Sequence, residues 1–156
     1  MTAGDGSART EVRRLRRDDL DAWKPLWKGY TAFYRAELGD EQSAATFARL
    51  CEEDGDLIGL VAVDDAGAPV GLAHLVMHEN TWSTAPSCYL QDLYVDPASR
   101  GGAVAHALFD AIYATARERG ADRVYWHTQQ YNGRARSLYD TVGELTSFIV
   151  YEKELG

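Results

Sequence analysis

The chain has 156 residues, of which 46% are hydrophobic, and it carries a net charge of −8. This length and 17 aromatic residues (4 Trp, 9 Tyr and 4 Phe) suffice for one core, so we expect a single domain over 10–156 behind a disordered tail, 1–9. The negative charge disfavours nucleic acid and anionic membranes. It indicates a solvated acidic surface, and the alternative is that it attracts a cationic substrate or partner. Two widely spaced cysteines and no apolar run of about 18 residues predict a cytoplasmic protein with free thiols.

The first third predicts a strand and two helices. Residues 11–15 form a short strand, and Asp18 or Asp19 caps a helix whose aromatic and aliphatic residues recur every three or four positions. Residues 41–52 form the second helix. The aromatic stripe of the first helix predicts core packing, and the alternative is that three of its side chains line a substrate pocket: Trp27, Tyr30 and Tyr34.

A hairpin follows, with strands over 57–63 and 70–77 joined by a turn of Asp, Gly and Pro residues. His74 and His78 lie four residues apart in the second strand, so they share one face of it. Together with Cys88 they raise the hypothesis of a metal site. No compact ligand set accompanies them, and we therefore predict no metal.

The middle of the chain reads as a strand, a glycine-rich loop and a helix. The strand ends at Asp96-Pro97, the loop is Arg100-Gly101-Gly102-Ala103-Val104-Ala105, and the helix closes at Gly120. Small residues at a helix start leave the first backbone N–H groups open to an anion, so the loop predicts a diphosphate site. It matches neither Gly-x-Gly-x-x-Gly nor a Gly-Lys-Ser/Thr ending, which argues against nicotinamide enzymes and nucleotide hydrolases.

The last third predicts a strand over 122–128, a helix from the cap Asn132 to Val142, and a strand over 147–151. The order of all elements predicts an α/β (α+β) domain with a mixed, mostly antiparallel sheet flanked by helices. The apolar end, 148–151, has two possible positions. It completes the sheet of its own chain, or it exchanges between two subunits.

Two motifs together indicate a family. The first is the loop described above, and the second is Asn132-Gly133-Arg134-Ala135-Arg136-Ser137-Leu138-Tyr139, whose Asn, Ala and Tyr share one helix face. With these motifs the sequence resembles the GNAT superfamily of acetyl-CoA-dependent N-acetyltransferases. That family's loop is Arg/Gln-x-x-Gly-x-Gly/Ala and its later motif is Asn-x-x-Ala-x-x-x-Tyr. Alanine stands here at both later glycine positions of the loop. Segments 89–95, 125–128 and 138–140 resemble the branch that acetylates histone tails and polyamines.

The resemblance implies a GNAT-like sheet with a splay between the fourth and fifth strands, acetyl-CoA as cofactor and no metal. In this family the central strand pairs with the pantetheine arm and supplies an N–H to the oxyanion, and the loop holds the diphosphate. The cofactor-binding residues it implies are Leu93, Tyr94, Val95, Arg100, Gly101, Gly102, Ala103, Val104, Ala105, Asn132 and Ala135.

The same resemblance implies that Tyr139 protonates the departing thiolate. Polyamine acetyltransferases carry a Glu-Asp pair where this chain has Gln91-Asp92. The general base is therefore Asp92, His127 or a chain of water molecules, and Gln91 joins the substrate-binding residues. Strand alternation makes Gln91 and Asp92 face opposite ways unless a bulge intervenes.

These observations predict an N-acetyltransferase that acts on a primary amine by direct attack in a ternary complex. The expected acceptor is cationic: a polyamine, a lysine side chain, an amino acid or a basic antibiotic. The alternative is a non-catalytic acyl-CoA-binding sensor or scaffold, suggested by the glutamine and the two alanines. The resemblance also favours a homodimer.

Overall fold

The computed structural model describes residues 10–156, so the predicted disordered tail lies outside the described residues. The described chain forms five strands and four helices, with single 3-10 turns at Arg17–Asp19 and Pro97–Ser99. In chain order these elements are β1 (Glu11–Arg14), α1 (Leu20–Phe33), α2 (Asp40–Leu50), β2 (Leu57–Val63), β3 (Pro69–His78), β4 (Ser87–Val95), α3 (Ala103–Glu118), β5 (Arg123–Tyr125) and α4 (Gly133–Val142).

The five strands form one mixed sheet in the order β1-β2-β3-β4-β5. The first four strands pair antiparallel, and β5 lies parallel to β4. The pairing of β4 with β5 covers only Ser87–Tyr89 against Arg123–Tyr125, although β4 continues to Val95. The predicted mixed sheet and the splay between the fourth and fifth strands are therefore confirmed.

Helices cover both faces of the sheet because its central strands are apolar on both sides. Alternate residues of β2 and β3 face opposite ways, so each face has its own core cluster. Helix α3 packs on one face, and its cluster includes Ile58, Leu75, Leu90, Leu108, Phe109 and Ile112. Helices α1 and α2 pack on the other, with Trp23, Phe47, Leu50, Val61 and Leu72. Each large side chain buried in this way contributes roughly 1.5–3 kcal/mol.

An ion pair anchors the start of α1. The carboxylate of Asp19 accepts bonds from the Arg16 backbone N–H at 2.7 Å and from the Arg13 guanidinium at 2.8 and 2.9 Å. The bond from Arg13 lowers the pKa of Asp19 below its usual value. This bidentate pair joins β1 to α1, the helix that carries the aromatic residues of the site.

Two sequence predictions near the C-terminus fail. The fifth strand is three residues long because β5 leaves β4 at the splay, and beyond Tyr125 it has no ladder partner. The predicted last strand, 147–151, is wrong: after Gly143 the chain forms no further strand or helix. Phe148 is 82% exposed there and Tyr151 91%. Within residues 10–156, no helix is long and apolar enough to cross a membrane.

Candidate active site

A β-bulge in β4 sets the geometry of the site. His74 of β3 pairs with Asp92, but the next residue, Leu75, pairs with Leu90, so Gln91 is an extra residue in the ladder. The bulge reverses the alternation of β4 beyond this point. Asp92 therefore faces α1 beside His74, whereas Leu90 and Leu93 both pack on the α3 side.

A buried hydrogen-bonded chain holds the carboxylate of Asp92. His74 Nδ1 lies 2.9 Å from Asp92 Oδ2, and Trp23 Nε1 donates to His74 Nε2 at 3.1 Å. An indole N–H can only donate, so Nε2 must accept and the proton of His74 sits on Nδ1. His74, which is only 2% exposed, thus directs a donor at Asp92.

Phenols surround the same carboxylate. The Tyr30 hydroxyl lies 3.4 Å from the carbonyl oxygen of Gln91, and its ring packs edge-on against Tyr34 at 5.1 Å between centroids. Burial, and secondly the charge of Asp92, raise the pKa of both Tyr30 and Tyr34 above the usual value. Both hydroxyls stay protonated at neutral pH and are available as hydrogen-bond donors.

The splay opens a narrow cleft between β4 and β5, with a volume of about 20 Å³. It lies where the ends of α1 and α4 approach the two strands. Six of its eight lining residues are predicted site residues, and the full lining is Tyr30, Tyr34, Leu90, Gln91, Leu93, Trp126, His127 and Tyr139. The structure thus brings residues from four separate segments of the chain to one point.

Two of the seven predicted catalytic and substrate-binding residues lie off the cleft wall. Trp27 is buried in the core, where its Nε1 donates to Ser43 Oγ at 3.2 Å and its ring stacks on Tyr30 at 5.6 Å. It supports Tyr30 from within the protein. The Asp92 side chain is 13% exposed and sits beside His74 on the α1 side, so a group in the cleft reaches it past the tyrosines.

Helix α4 presents Tyr139 to the cleft. The Asn132 side chain caps this helix by accepting a bond from the Ala135 N–H at 3.3 Å, as the sequence predicts. The Tyr139 ring packs edge-on against Trp126 at 5.6 Å between centroids. Burial raises the pKa of Tyr139, so the phenol is protonated at neutral pH.

His127 also lines the cleft. Its Nδ1 lies 3.3 Å from the Tyr89 hydroxyl, and the Tyr89 ring stacks on Tyr125 at 5.0 Å. Tyr125 in turn contacts His78, whose Nε2 lies 2.7 Å from the phenol oxygen. The side chain of His127 is exposed, and its imidazole is a candidate general base within the cleft.

The loop before α3 has the features of an anion site. Gly102, with φ +97°, is the N-cap residue, and no side chain caps the helix. The first bond of α3 runs from the His106 N–H to the Gly102 carbonyl, and within residues 10–156 the N–H groups of 103–105 donate to no acceptor. Arg100 stays close by, since its Nε donates to the Val95 carbonyl at 3.2 Å. Open N–H groups and a nearby guanidinium suit a diphosphate.

The strand between the loop and the cleft has a free edge. On one side, Leu93, Tyr94 and Val95 pair with Ala73, Leu72 and Gly71 of β3. On the other side, no described strand pairs with them, because the ladder to β5 ends at Tyr89. An extended amide-bearing chain fits such an edge as an added strand would.

The histidines of β3 already have protein partners. His74 uses both ring nitrogens on Trp23 and Asp92, and His78 uses both on Glu79 and Tyr125. Cys88 faces the core on the α3 side. Across residues 10–156, no three His, Cys, Asp or Glu side chains form a group able to hold a metal ion.

Sequence reasoning missed two residues of the site. Trp23 is hidden in the aromatic stripe of α1, and His74 stands out in the sequence only as a metal candidate. The bulge in β4 links them to Asp92, because it turns the Asp92 side chain to the face of the sheet on which His74 lies.

Comparison with known proteins decides the family. The family model described as "Acetyltransferase (GNAT) family" matches residues 12–143. The chain belongs to the GNAT acetyltransferase family. The D-amino-acid N-acetyltransferase HPA3 of Saccharomyces cerevisiae is 34% identical to this acetyltransferase over 146 residues, 93% of the chain and 91% of the relative. The N-acetyltransferase YhfO of Bacillus subtilis is 30% identical over 90% of the chain and 94% of the relative.

Solved structures share the fold of this acetyltransferase. The structure of AAC(6')-Iy in complex with a bisubstrate analogue superposes with a TM-score of 0.81 at 19% identity, over 94% of this chain and 99% of that one. The family model and the 34% identical relative confirm the predicted superfamily and enzyme class. The finer resemblance to the histone and polyamine branch stays a prediction.

Proposed function

We propose that this acetyltransferase transfers an acetyl group from acetyl-CoA to a primary amine, by direct attack in a ternary complex. The observation that carries the proposal is the cleft at the splay. It joins Tyr139 of α4 and Tyr30 of α1 to the free edge of β4, which runs from there to the anion-binding loop. One continuous surface thus offers a place for diphosphate, an extended arm and an amine.

Acetyl-CoA, when bound, supplies the activated acetyl thioester. The open backbone N–H groups of 101–105 would hold the diphosphate, with the Arg100 guanidinium as a charged neighbour. The free edge of Leu93–Val95 would hold the extended arm, and an N–H of this edge would stabilise negative charge on the acetyl oxygen. On α4, Asn132 and Ala135 lie on the same helix face as Tyr139.

Asp92 removes the proton of the acceptor amine. The amine binds as an ammonium, and Tyr30 and Gln91 position it beside the carboxylate. Because Asp92 lies off the cleft wall, the proton reaches it through a water molecule beside the Tyr30 hydroxyl. The donor from His74 fixes the orientation of the carboxylate. His127 is the alternative base.

Tyr139 returns a proton to the departing thiolate. A phenol has an ordinary pKa of about 10 and a thiol about 8.5, so this transfer is uphill by roughly 2 kcal/mol or more. That cost is small beside an enzymatic barrier. Burial raises the pKa of Tyr139 further, which ensures that the proton is present at neutral pH.

Charge favours a cationic acceptor. None of the eight cleft residues is Lys or Arg, and Asp92 is the acidic group behind them. A polyamine, a lysine side chain or a basic antibiotic suits this surface, and the first two match the histone and polyamine branch. An amino acid is the other candidate class, supported by the relative that is named for D-amino acids.

The two acceptor classes are separated by a panel assay with labelled acetyl-CoA. The panel contains polyamines, lysine peptides, aminoglycosides, and D- and L-amino acids. We expect transfer to at least one amine and a loss of transfer in Tyr139→Phe. Tight binding of acetyl-CoA in calorimetry without transfer to any amine would overturn the proposal in favour of a non-catalytic sensor or scaffold.

We also propose that the enzyme works in the cytoplasm. Cys51 and Cys88 are both free thiols. Burial raises the pKa of Cys88 to about 11, so this thiol is unreactive at neutral pH. Fusion to a fluorescent protein and imaging in the source organism tests the location, and an exported fusion contradicts it.

A further inference from the structure

Helix α4, which carries Tyr139, lies beyond the point where the sheet splays. The ladder between β4 and β5 ends at Tyr125, and from Trp126 to the start of α4 the chain pairs with no strand of residues 10–156. The hydrogen bonds of the sheet therefore do not fix the place of α4. The position of the Tyr139 phenol depends on contacts that side chains make with this helix.

Three aromatic rings join α4 to the core on the α3 side. Phe109 of α3 is only 1% exposed, and its ring centroid lies 5.1 Å from that of Trp126 and 6.1 Å from that of Tyr139. The rings of Trp126 and Tyr139 meet at an interplanar angle of 68°. Tilted and edge-on arrangements of this kind are the favourable ones for aromatic pairs. Tyr139 thus packs against an indole that is itself held by a buried ring.

The end of α4 packs on the far edge of the same indole. A Cβ atom on Gly143 would lie 2.7 Å from Trp126 Cη2 and 3.2 Å from Cζ2, which is closer than side chains approach in proteins. Only glycine allows this contact. The Gly143 N–H donates to the Tyr139 carbonyl oxygen at 2.9 Å, and the Tyr113 hydroxyl of α3 donates to the carbonyl oxygen of Val142. The last turn of α4 is therefore fixed on both sides, and Tyr139 belongs to that turn.

We propose that Trp126 is a positioning residue for Tyr139, and that Gly143 is the position that lets the indole act in this way. The inference rests on the proposed role of Tyr139 as the acid. Trp126 and Tyr139 both line the cleft, and the indole sets how far the phenol reaches into it. Placement of a reacting group matters on this scale, because a displacement of about 1 Å can lower a rate by about 100-fold.

The size of the indole is what the geometry requires. One part of Trp126 packs on Tyr139, and its Cη2 atom at the other end reaches Gly143. A phenylalanine ring is shorter and has no atom at the position of Cη2. Trp126→Phe therefore keeps an aromatic ring against the core but opens a gap beside Gly143, and a methyl group on residue 143 fills such a gap.

Complementary substitutions test the contact from its two sides. Gly143→Ala pushes the indole away, so in single-turnover experiments kcat should fall about 10-fold with KM for acetyl-CoA within a factor of two. Trp126→Phe should lower kcat about 3–10-fold. The double variant should be at least as active as Trp126→Phe alone, because the methyl group then has room. Losses that multiply in the double variant overturn the proposal. Gly133→Ala, at an open position of the same helix, is the matched control.

A second pair of variants asks whether Trp126 acts through the phenol. In a Tyr139→Phe background there is no acid left to position, so Trp126→Phe should change kcat by less than a factor of two. A role in the fold alone predicts the same loss in both backgrounds, and that result contradicts the proposal. Circular dichroism melting shows which variants are folded. Should Gly143→Ala unfold, the cycle between Trp126→Phe and Tyr139→Phe decides the question.

Nuclear magnetic resonance of protein with ¹³C-labelled tyrosine gives a result that needs no acetyl transfer. Tyr139→Phe identifies the Tyr139 signal, which the neighbouring rings of Trp126 and Phe109 displace. Gly143→Ala should move this signal, and Gly133→Ala should not. A signal that stays in place in folded Gly143→Ala overturns the positioning role. Unchanged turnover in Tyr139→Phe instead overturns the acid role, so the two failures are distinct results.

Discussion

His74 Nδ1 and Asp92 Oδ2 lie 2.9 Å apart, and a buried indole fixes which nitrogen of the imidazole carries the proton. The two residues come from neighbouring strands and are 18 positions apart in the sequence. Their pairing gives the acidic side chain of the site a constant orientation, independent of the substrate. The first prediction follows from the donor on His74.

Replacing His74 separates its hydrogen bond from its packing. His74→Leu removes the donor to Asp92, whereas His74→Asn keeps an N–H near the position of Nδ1. We expect kcat/KM for the amine to fall about 100-fold in the leucine variant and about 10-fold in the asparagine variant, with KM for acetyl-CoA unchanged. The leucine variant also loses about 1–3 kcal/mol of stability because the Trp23 N–H is left unpaired. If both variants are folded and have the same kcat/KM for the amine, His74 does not position Asp92.

Neutralising Asp92 should remove the base. Asp92→Asn is expected to lower kcat/KM for the amine by about 10²-fold or more, while calorimetry shows acetyl-CoA binding within a factor of two of the wild type. Asp110→Asn makes the same change of charge at an exposed position of α3 and serves as the control. A small effect in Asp92→Asn together with a large one in His127→Gln would move the role of base to His127.

Tyr139→Phe tests the role of Tyr139 as the acid, because it removes only the phenol oxygen. Tyr139→Phe should reduce kcat by about 10–100-fold with KM for acetyl-CoA within a factor of two, once single-turnover experiments show that chemistry limits the rate. Tyr131→Phe, at an 82% exposed position just before α4, is the matched control and should behave like the wild type. Unchanged turnover in Tyr139→Phe would exclude its role as the acid.

Ultraviolet titration checks the contact between Tyr30 and Asp92 without an activity assay. Burial and the negative charge of Asp92 both raise the pKa of Tyr30, so its phenolate forms well above the usual value of about 10. Subtracting the titration curve of Tyr30→Phe from that of the wild type gives the ionisation step of Tyr30 alone. In an Asp92→Asn background the charge is gone, and the step should move to lower pH. A step that does not move shows that the carboxylate is too far away to act on Tyr30.

Gly102 tests the anion loop. A methyl group at this position has room, with its nearest neighbour 4.0 Å away, but φ +97° is strained for any residue except glycine. Gly102→Ala should cost roughly 1–3 kcal/mol or shift the loop, and KM for acetyl-CoA should rise about 10-fold with little change in kcat. Gly133→Ala, at an open position in the first turn of α4, should leave both values unchanged.

Local signals in the sequence predict most of the fold. The apolar runs of β2 and β3, the cap at Asn132 and the glycine-rich loop before α3 each depend on neighbouring residues, so the sequence predicts them nearly at their final bounds. The order of these elements also predicts the mixed sheet, and the splay follows from the resemblance to the GNAT superfamily. The cofactor half of the candidate site follows from the same local motifs.

The parts that fail depend on contacts between distant residues. The strand predicted over 147–151 has the right composition, but a strand exists only beside a partner, and this chain does not bring one to it. Trp27 has the spacing of the cleft tyrosines, yet its larger ring turns into the core and bonds Ser43. The link from Trp23 through His74 to Asp92 requires the register of two strands, which no single segment encodes.

The bulge at Gln91 decides which face of the sheet the later residues of β4 point to. In a regular ladder that kept Leu90 opposite Leu75, Gln91 would stand opposite His74 and Asp92 opposite Ala73. The carboxylate of Asp92 would then turn towards Leu108 and Phe109, and Leu93 would leave their side of the sheet. An extra residue in the turn at 64–68 would merely lengthen a loop. The one unpaired position in the middle of β4 therefore decides whether the acid faces its histidine or the apolar core on the α3 side.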